Sequence, residues 1–324
     1  MKTFLLAGLV AALPLEALAQ TPAAPSRASA PAAATGVGDA GLGTRPGHEL
    51  NVSFGHYTYT EPGALSISIH GPKFVGGYTG TFALSPRRHL FAQADVRASV
   101  GNTTYDGFCS PFFIAPNTAS PNGYELDIGD ASPCSESPDV DWYVEARGLV
   151  GKDLVRTSWG FSPFTGLGLR HLSNGLTGAA GYRTDNYLYL PVGLTTRTRL
   201  AQRILSATLE YDQLLHGWQT TRDSLLGTGV VPATATAPAF TIESFSDISF
   251  SQTGGWAVRV SGKYQITDRW SVEPSFIRWH VSASNVQPET VVFTVGGISA
   301  QEQLSAYEPL NITHEFVVKV GFHF

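Results

Sequence analysis

The sequence predicts an all-β fold, an antiparallel up-and-down transmembrane β-barrel of about ten strands, and three patterns predict it. After residue 48, apolar and charged side chains repeatedly separate by parity, as they do in strands whose successive side chains point to opposite faces. The links between these segments alternate between short turns and long polar stretches. After the first 19 residues no uncharged apolar run approaches the roughly 18 residues of a helical span, because Gly, polar and charged residues interrupt every candidate. A membrane reading therefore has to use strands.

Residues 1–19 read as a secretory signal: Lys2 gives the positive start, Phe4 to Leu13 the apolar stretch, and Ala17-Leu18-Ala19 a small-residue cleavage site. Residues 20–47 are rich in Ala, Pro, Gly, Ser and Thr without hydrophobic periodicity, the composition of a disordered lead-in. The barrel is expected over 48–324. Period-2 segments fall at 50–60, 65–84, 89–101, 140–151, 157–172, 185–198, 203–217, 254–266, 270–282 and 310–324. An even number returns both ends to the same side. The long links are 102–139, 218–253 and 283–309, and the short ones include Ser85 to Arg88, Lys152-Asp153, Ala201-Gln202 and Thr267 to Arg269. That asymmetry predicts long extracellular loops and short periplasmic turns, with both termini periplasmic.

Parity divides each strand between a lipid wall and a lumen. Leu90, Ala92, Ala94, Val96 and Ala98 face one way, and Gln93, Asp95 and Arg97 the other. Trp142, Val144 and Ala146 oppose Glu145 and Arg147; Leu205, Ala207, Leu209 and Tyr211 oppose Glu210 and Asp212; Trp256, Val258 and Val260 oppose Arg259 and Lys263. Arg or Lys on the lipid face near mid-membrane costs on the order of 2 to 4 kcal/mol, so the ionic parity points inward. With Glu273 and Lys319, the inward set holds Asp95, Glu145, Glu210, Asp212 and Glu273 against Arg97, Arg147, Arg259, Lys263 and Lys319. Buried charges persist when paired, so this set predicts a mutually neutralising network. About eight strands make a barrel filled by side chains and about sixteen an aqueous channel, so ten leave at most a narrow path.

The composition agrees. One Met against 34 Gly, 12 Tyr, 18 Phe and 6 Trp fits strands, turns and aromatic belts better than helices. A charged fraction of 15% suits an outer wall that faces lipid, and a net charge of -5 provides no basic footprint for nucleic acid. Cys109 and Cys134 stand in a Pro/Ser/Asn/Gly-rich stretch of an exported chain, where one disulfide is the default. Two sulfurs without paired His nearby make a poor metal site, and no cofactor is expected.

In the final strand Phe316, Val318, Val320, Phe322 and Phe324 share one face, while Glu315, Lys319 and His323 take the other. A chain ending on such a strand with a terminal Phe resembles bacterial outer-membrane β-barrels, in which that strand is similar to the signal read by the barrel-assembly machinery. Tyr57 to Pro62, Pro163 to Arg170, Gly181 to Arg183 with Tyr187 to Gly193, Glu210-Tyr211-Asp212 and Glu308 to Thr313 resemble, in that order, segments of a group of proteobacterial outer-membrane barrels of poorly defined function. The resemblance implies a barrel in the outer membrane of a Gram-negative bacterium, in contact with lipid and lipopolysaccharide, and brings no reaction with it.

His171-Leu172-Ser173-Asn174 is similar to the His-x-Ser-Asn motif of outer-membrane lipid A 3-O-deacylases. That resemblance implies Ser173 as nucleophile, His171 as its base and Asp185 as the acid that orients the imidazole. A spacing of two puts His171 and Ser173 on one face of a strand, the face shared with Leu167 and Leu169, whereas Asp185 has the parity of Tyr187 and Tyr189. Those enzymes resemble shorter barrels of about eight strands, and Asp185 replaces their Glu. A second enzymatic reading resembles the omptin proteases, with Asp106, His216, Asp223, Asp247 and His280 near the outer rim. Trp159, Trp218, Trp256, Trp270 and Tyr264 near strand ends read as interfacial girdles, with Trp218 or Trp279 as alternative stacking platforms for a ligand. The favoured expectation is a monomeric, non-enzymatic surface protein or narrow porin-like element with a charge-paired lumen; the alternative is the deacylase.

Overall fold

A computed structural model describes residues 41–63, 66–109, 111–175 and 182–324, so the signal segment and most of the expected lead-in lie outside the described residues. Ten antiparallel strands close on themselves: β1 (Gly47–Glu61), β2 (Ile67–Ser85), β3 (Leu90–Cys109), β4 (Ser132–Lys152), β5 (Trp159–Gly175), β6 (Tyr182–Leu200), β7 (Arg203–Arg222), β8 (Gly255–Gln265), β9 (Trp270–Val281) and β10 (Asn311–His323). Each pairs with its sequence neighbours, and β10 pairs with β1 from His323 opposite Glu49 to Ile312 opposite Thr60. Closure removes the open edges that an extended sheet would expose. Close approach of β1 and β10 requires Gly55, where an added Cβ would stand 1.9 Å from the Phe316 carbonyl oxygen.

The wall is inverted relative to a water-soluble domain. Val52, Phe74, Val100, Leu167, Leu209 and Phe316 are each half or more exposed on the outside, while Glu145, Asp212, Arg170 and Lys73 are buried within. An apolar surface this continuous marks an interaction site, and one that encircles a closed barrel fits a bilayer. Trp159 and Trp270 stand outside at the end that carries the short turns; Trp142, Trp218 and Trp256 stand outside toward the loops.

Several strands run further toward the loops than their hydrophobic pattern indicates. β3 and β4 remain paired out to Cys109 opposite Ser132, through a polar stretch expected to be loop. The Cys109–Cys134 disulfide, with Cα atoms 5.8 Å apart, ties this extension together. Beyond it Phe112–Pro116 and Tyr124–Ile128 form a hairpin. The other two long loops join in one four-stranded sheet, ordered Gly229–Val231, Phe240–Phe245, Gln287–Val295 and Ile298–Ala306. Its last hairpin turns at Gly296 and Gly297, both at positive φ, a conformation that glycine adopts without steric penalty. Ile114 and Leu126 of the first hairpin pack with Phe240, Ile242, Val291, Phe293, Val295 and Ala300 of this sheet. The three loops therefore share an apolar core and form a folded cap.

At the turn end, residues 41–46 do not behave as the disordered lead-in expected over 20–47. Leu42 is fully buried, and Thr44 donates from its backbone N and its Oγ1 to the Asp153 carboxylate at 2.8 and 2.7 Å. Arg45 donates to the Asp268 carbonyl at 2.5 Å. Asp153 lies in the β4–β5 turn and Asp268 in the β8–β9 turn, so this segment is strapped to two separate turns.

Candidate functional site

Charged side chains on the inward parity of the strands meet in the lumen. Arg97 pairs through Nε with Glu145, and its Nη1 reaches Glu315 at 3.3 Å. Arg147 bridges Asp95 at 3.0 Å and Glu210 at 2.5 Å. Arg259 binds Glu145 at 2.5 Å and Asp212 at 2.6 Å. Closer to the turns, Lys319 pairs with Glu273 at 2.8 Å and Lys263 with Glu49. Tyr189 donates to Glu145 at 2.6 Å and Tyr143 to Glu315 at 2.8 Å. These carboxylates therefore accept neutral hydrogen bonds in addition to their ionic ones, the condition under which charge tolerates burial. The predicted balance of five against five omitted Glu49 and Glu315, which carry the parity of Ser53 and Lys319.

A second layer lies between this network and the cap. Lys73 and Asp141 form an ion pair at 2.7 Å with both side chains wholly buried, and the ammonium sits 4.3 Å from the Tyr57 ring centroid. Arg170 stacks over Tyr143 at 4.5 Å and Trp279 at 5.8 Å. Above it, Arg183 contacts Glu61 at 2.9 Å and Glu308 at 3.2 Å, and Gln219 donates to Glu308 at 2.9 Å. Parity alone marks Lys73 and Asp141, which alternate in step with Val75 and Tyr143. Arg183 and Glu308 come together only because a long loop returns Glu308 to the mouth. A cavity of about 1250 Å³ fills the turn half of the lumen. Arg97, Glu145, Arg147, Glu210 and Arg259 line it, together with Gly41 and the segment from Gly43 to Gly47.

The His-x-Ser-Asn set is not brought together. His171 and Ser173 lie on the outer face of β5, where His171 Nδ1 is 2.7 Å from Asn186 Oδ1 and its ring is 5.2 Å from that of Trp142. Asp185 points into the lumen, fully buried, in register with Leu172 and Gln219. Strand alternation thus puts the acid on the other side of the wall from the base it was expected to orient, a correction to the triad of Ser173, His171 and Asp185. The rim set also separates. His216 stacks on Trp218 at 5.6 Å and His280 on Trp256 at 5.5 Å on the outer wall; Asp106 lies near His70 at 3.7 Å. Asp223 is buried under the cap, and Asp247 accepts from the Ser224 backbone N at 3.1 Å. Trp279 faces the lumen, packed on Tyr187 and Tyr189, as a core residue. No group of three or more His, Cys, Asp or Glu suited to a metal ion occurs among the described residues.

No family model and no curated protein matches the chain. Solved structures similar in architecture include the outer-membrane protease OmpT from Escherichia coli, at 10% identity and a TM-score of 0.47 over 86% of this chain and 97% of that one. The translocator domain of the autotransporter NalP from Neisseria meningitidis is similar at 11% identity and a TM-score of 0.35, covering 87% and 90%. The Ralstonia pickettii toluene transporter TbuX is similar at 9% identity and a TM-score of 0.32, with the same coverage.

Proposed function

We propose that this chain is an integral outer-membrane protein of a Gram-negative bacterium, with periplasmic termini, whose plugged barrel is a non-enzymatic platform for a folded surface cap. The observation that carries the reading is the salt-bridged layer from Arg97 through Glu145 and Arg259 to Asp212, joining β3, β4, β8 and β7 across the lumen. Opening a solute path there would leave several charges unpaired at once, and removing one partner of a buried pair costs about 3–5 kcal/mol. The cap above and the strap of residues 41–46 below add obstruction at both mouths. The apolar wall supports contact with outer-membrane lipid and lipopolysaccharide. The apolar outward parity of β10, at Phe316, Val318 and Val320, supports handling by the barrel-assembly machinery, and ten strands closed in one chain support a monomer.

Reconstitution of the mature chain in a planar bilayer tests the plugged state: the baseline should stay flat under applied voltage, and discrete ohmic steps would overturn it. The non-enzymatic assignment has a separate check. Lipid A from cells making the protein should keep the acyl pattern of cells lacking it. An acyl chain lost with the native protein but kept with Ser173→Ala would reinstate the deacylase.

A further inference from the structure

Arg278 breaks the rule by which the lipid wall is built. It lies on the outward parity of β9, between Phe276 and His280, and directly opposite His314 of β10. Its guanidinium lies 5.9 Å from the Trp256 ring, its buried Nε has no hydrogen-bond partner, and no carboxylate pairs with it among the described residues. His314 stacks on Phe276 at 5.9 Å and His280 on Trp256 at 5.5 Å, so the imidazoles flank the guanidinium on the same outer face. These residues lie within three positions of the loop ends of β8, β9 and β10, and on the same strands Val260, Phe316 and Val318 continue the exposed apolar wall toward the turns.

We propose that Arg278, His280 and His314, backed by Trp256, form a binding site for a phosphate-bearing lipid of the leaflet next to the cap. The phosphate supplies the counter-ion that the wall lacks, and the acyl chains lie on the apolar strip below. Charge complementarity commits the site to this occupant. An Arg on the lipid face loses most of its penalty only near the interface, and its planar fork matches a phosphate oxygen pair bidentately. The two imidazole rings add ring N–H donors beside the guanidinium. The site rests on the outer-membrane reading above.

The test is native mass spectrometry of the mature protein in detergent, offered equal amounts of dioleoyl phosphatidic acid and dioleoylglycerol. The native chain should retain the phosphate lipid in preference by about tenfold, and Arg278→Leu should bring that preference close to parity. Heat-modifiable gel mobility reports folding of every variant, and Arg278→Gln replaces the Leu variant if that one fails to fold. Equal retention of both lipids by the folded native chain, or a preference unchanged in the variants, overturns the site and leaves the barrel reading standing. A native chain that needs no detergent overturns both.

Discussion

Lys73 and Asp141 show at the scale of single residues how this lumen differs from a hydrocarbon core. Neither side chain reaches solvent, and they meet at 2.7 Å beside the Tyr57 ring. A buried ion pair is weak evidence of net stability, because desolvating two charges offsets most of their attraction, but breaking one is severe. Lys73→Met alone should therefore destabilise the barrel by about 3–5 kcal/mol, and Asp141→Leu alone by a similar amount. The double variant should recover most of the loss, since contacting residues are strongly non-additive. Urea unfolding of detergent-folded protein, followed by gel mobility, gives all four corners of the cycle. If the double variant loses the sum of the single effects, the two residues act independently and the pair is not the unit described.

At the scale of elements, the β6–β7 turn carries a local conflict. Ala201 and Gln202 both adopt positive φ, 46° and 68°, between Leu200 and Arg203, which pair across a two-residue connection. Such a turn matches the strand twist but suits Asn-Gly far better than Ala-Gln. Replacement of both by Asn-Gly should stabilise the barrel by about 1 kcal/mol in the same unfolding assay, and a loss of stability would mean that the native side chains make contacts worth more than the strain. The membrane-spanning parts of the strands were legible because one force wrote them: lipid outside keeps the outward parity apolar from Leu90 to Val100 and from Phe316 to Phe324, and charges fall only on the inward one. Extensions such as Thr103 to Cys109 and Ser132 to Ser137 rise beyond the lipid-facing wall on the loop side, where alternation is not enforced, and they read as loops. Cap strands such as Gln287–Val295 find their apolar partners in a different loop, at a separation that no local period encodes. The candidate triad failed for a related reason: a three-residue motif fixes the spacing of His171 and Ser173 but not the face of Asp185 on the next strand.

The whole molecule is a barrel with a salt-bridged layer across its lumen, and the contact between its cap and the rim is expected to respond to acidity. Asp223, in the short helical turn after β7, and Glu289, in the cap strand Gln287–Val295, share a hydrogen bond outside the membrane wall. Burial raises both carboxyls, and repulsion from Asp223 together with their shared bond helps to push Glu289 up to about 7. Asp247 adds a like charge beside Asp223, and Arg183 offsets part of it. The folded-state value thus lies above the unfolded value of about 4.3, so the stability it contributes is fully present below about pH 4.3 and is lost as pH rises through about 7. Cap amides in Phe240–Phe245 and Gln287–Val295 should therefore exchange with solvent on the order of tenfold faster at pH 8 than at pH 5, after correction for intrinsic rates, while barrel amides in β3 and β4 stay protected at both. Glu289→Gln keeps a hydrogen-bonding side chain without the charge and should abolish the difference. A cap equally protected at both pH values in the native protein would show that the Asp223–Glu289 contact does not hold the cap to the barrel rim.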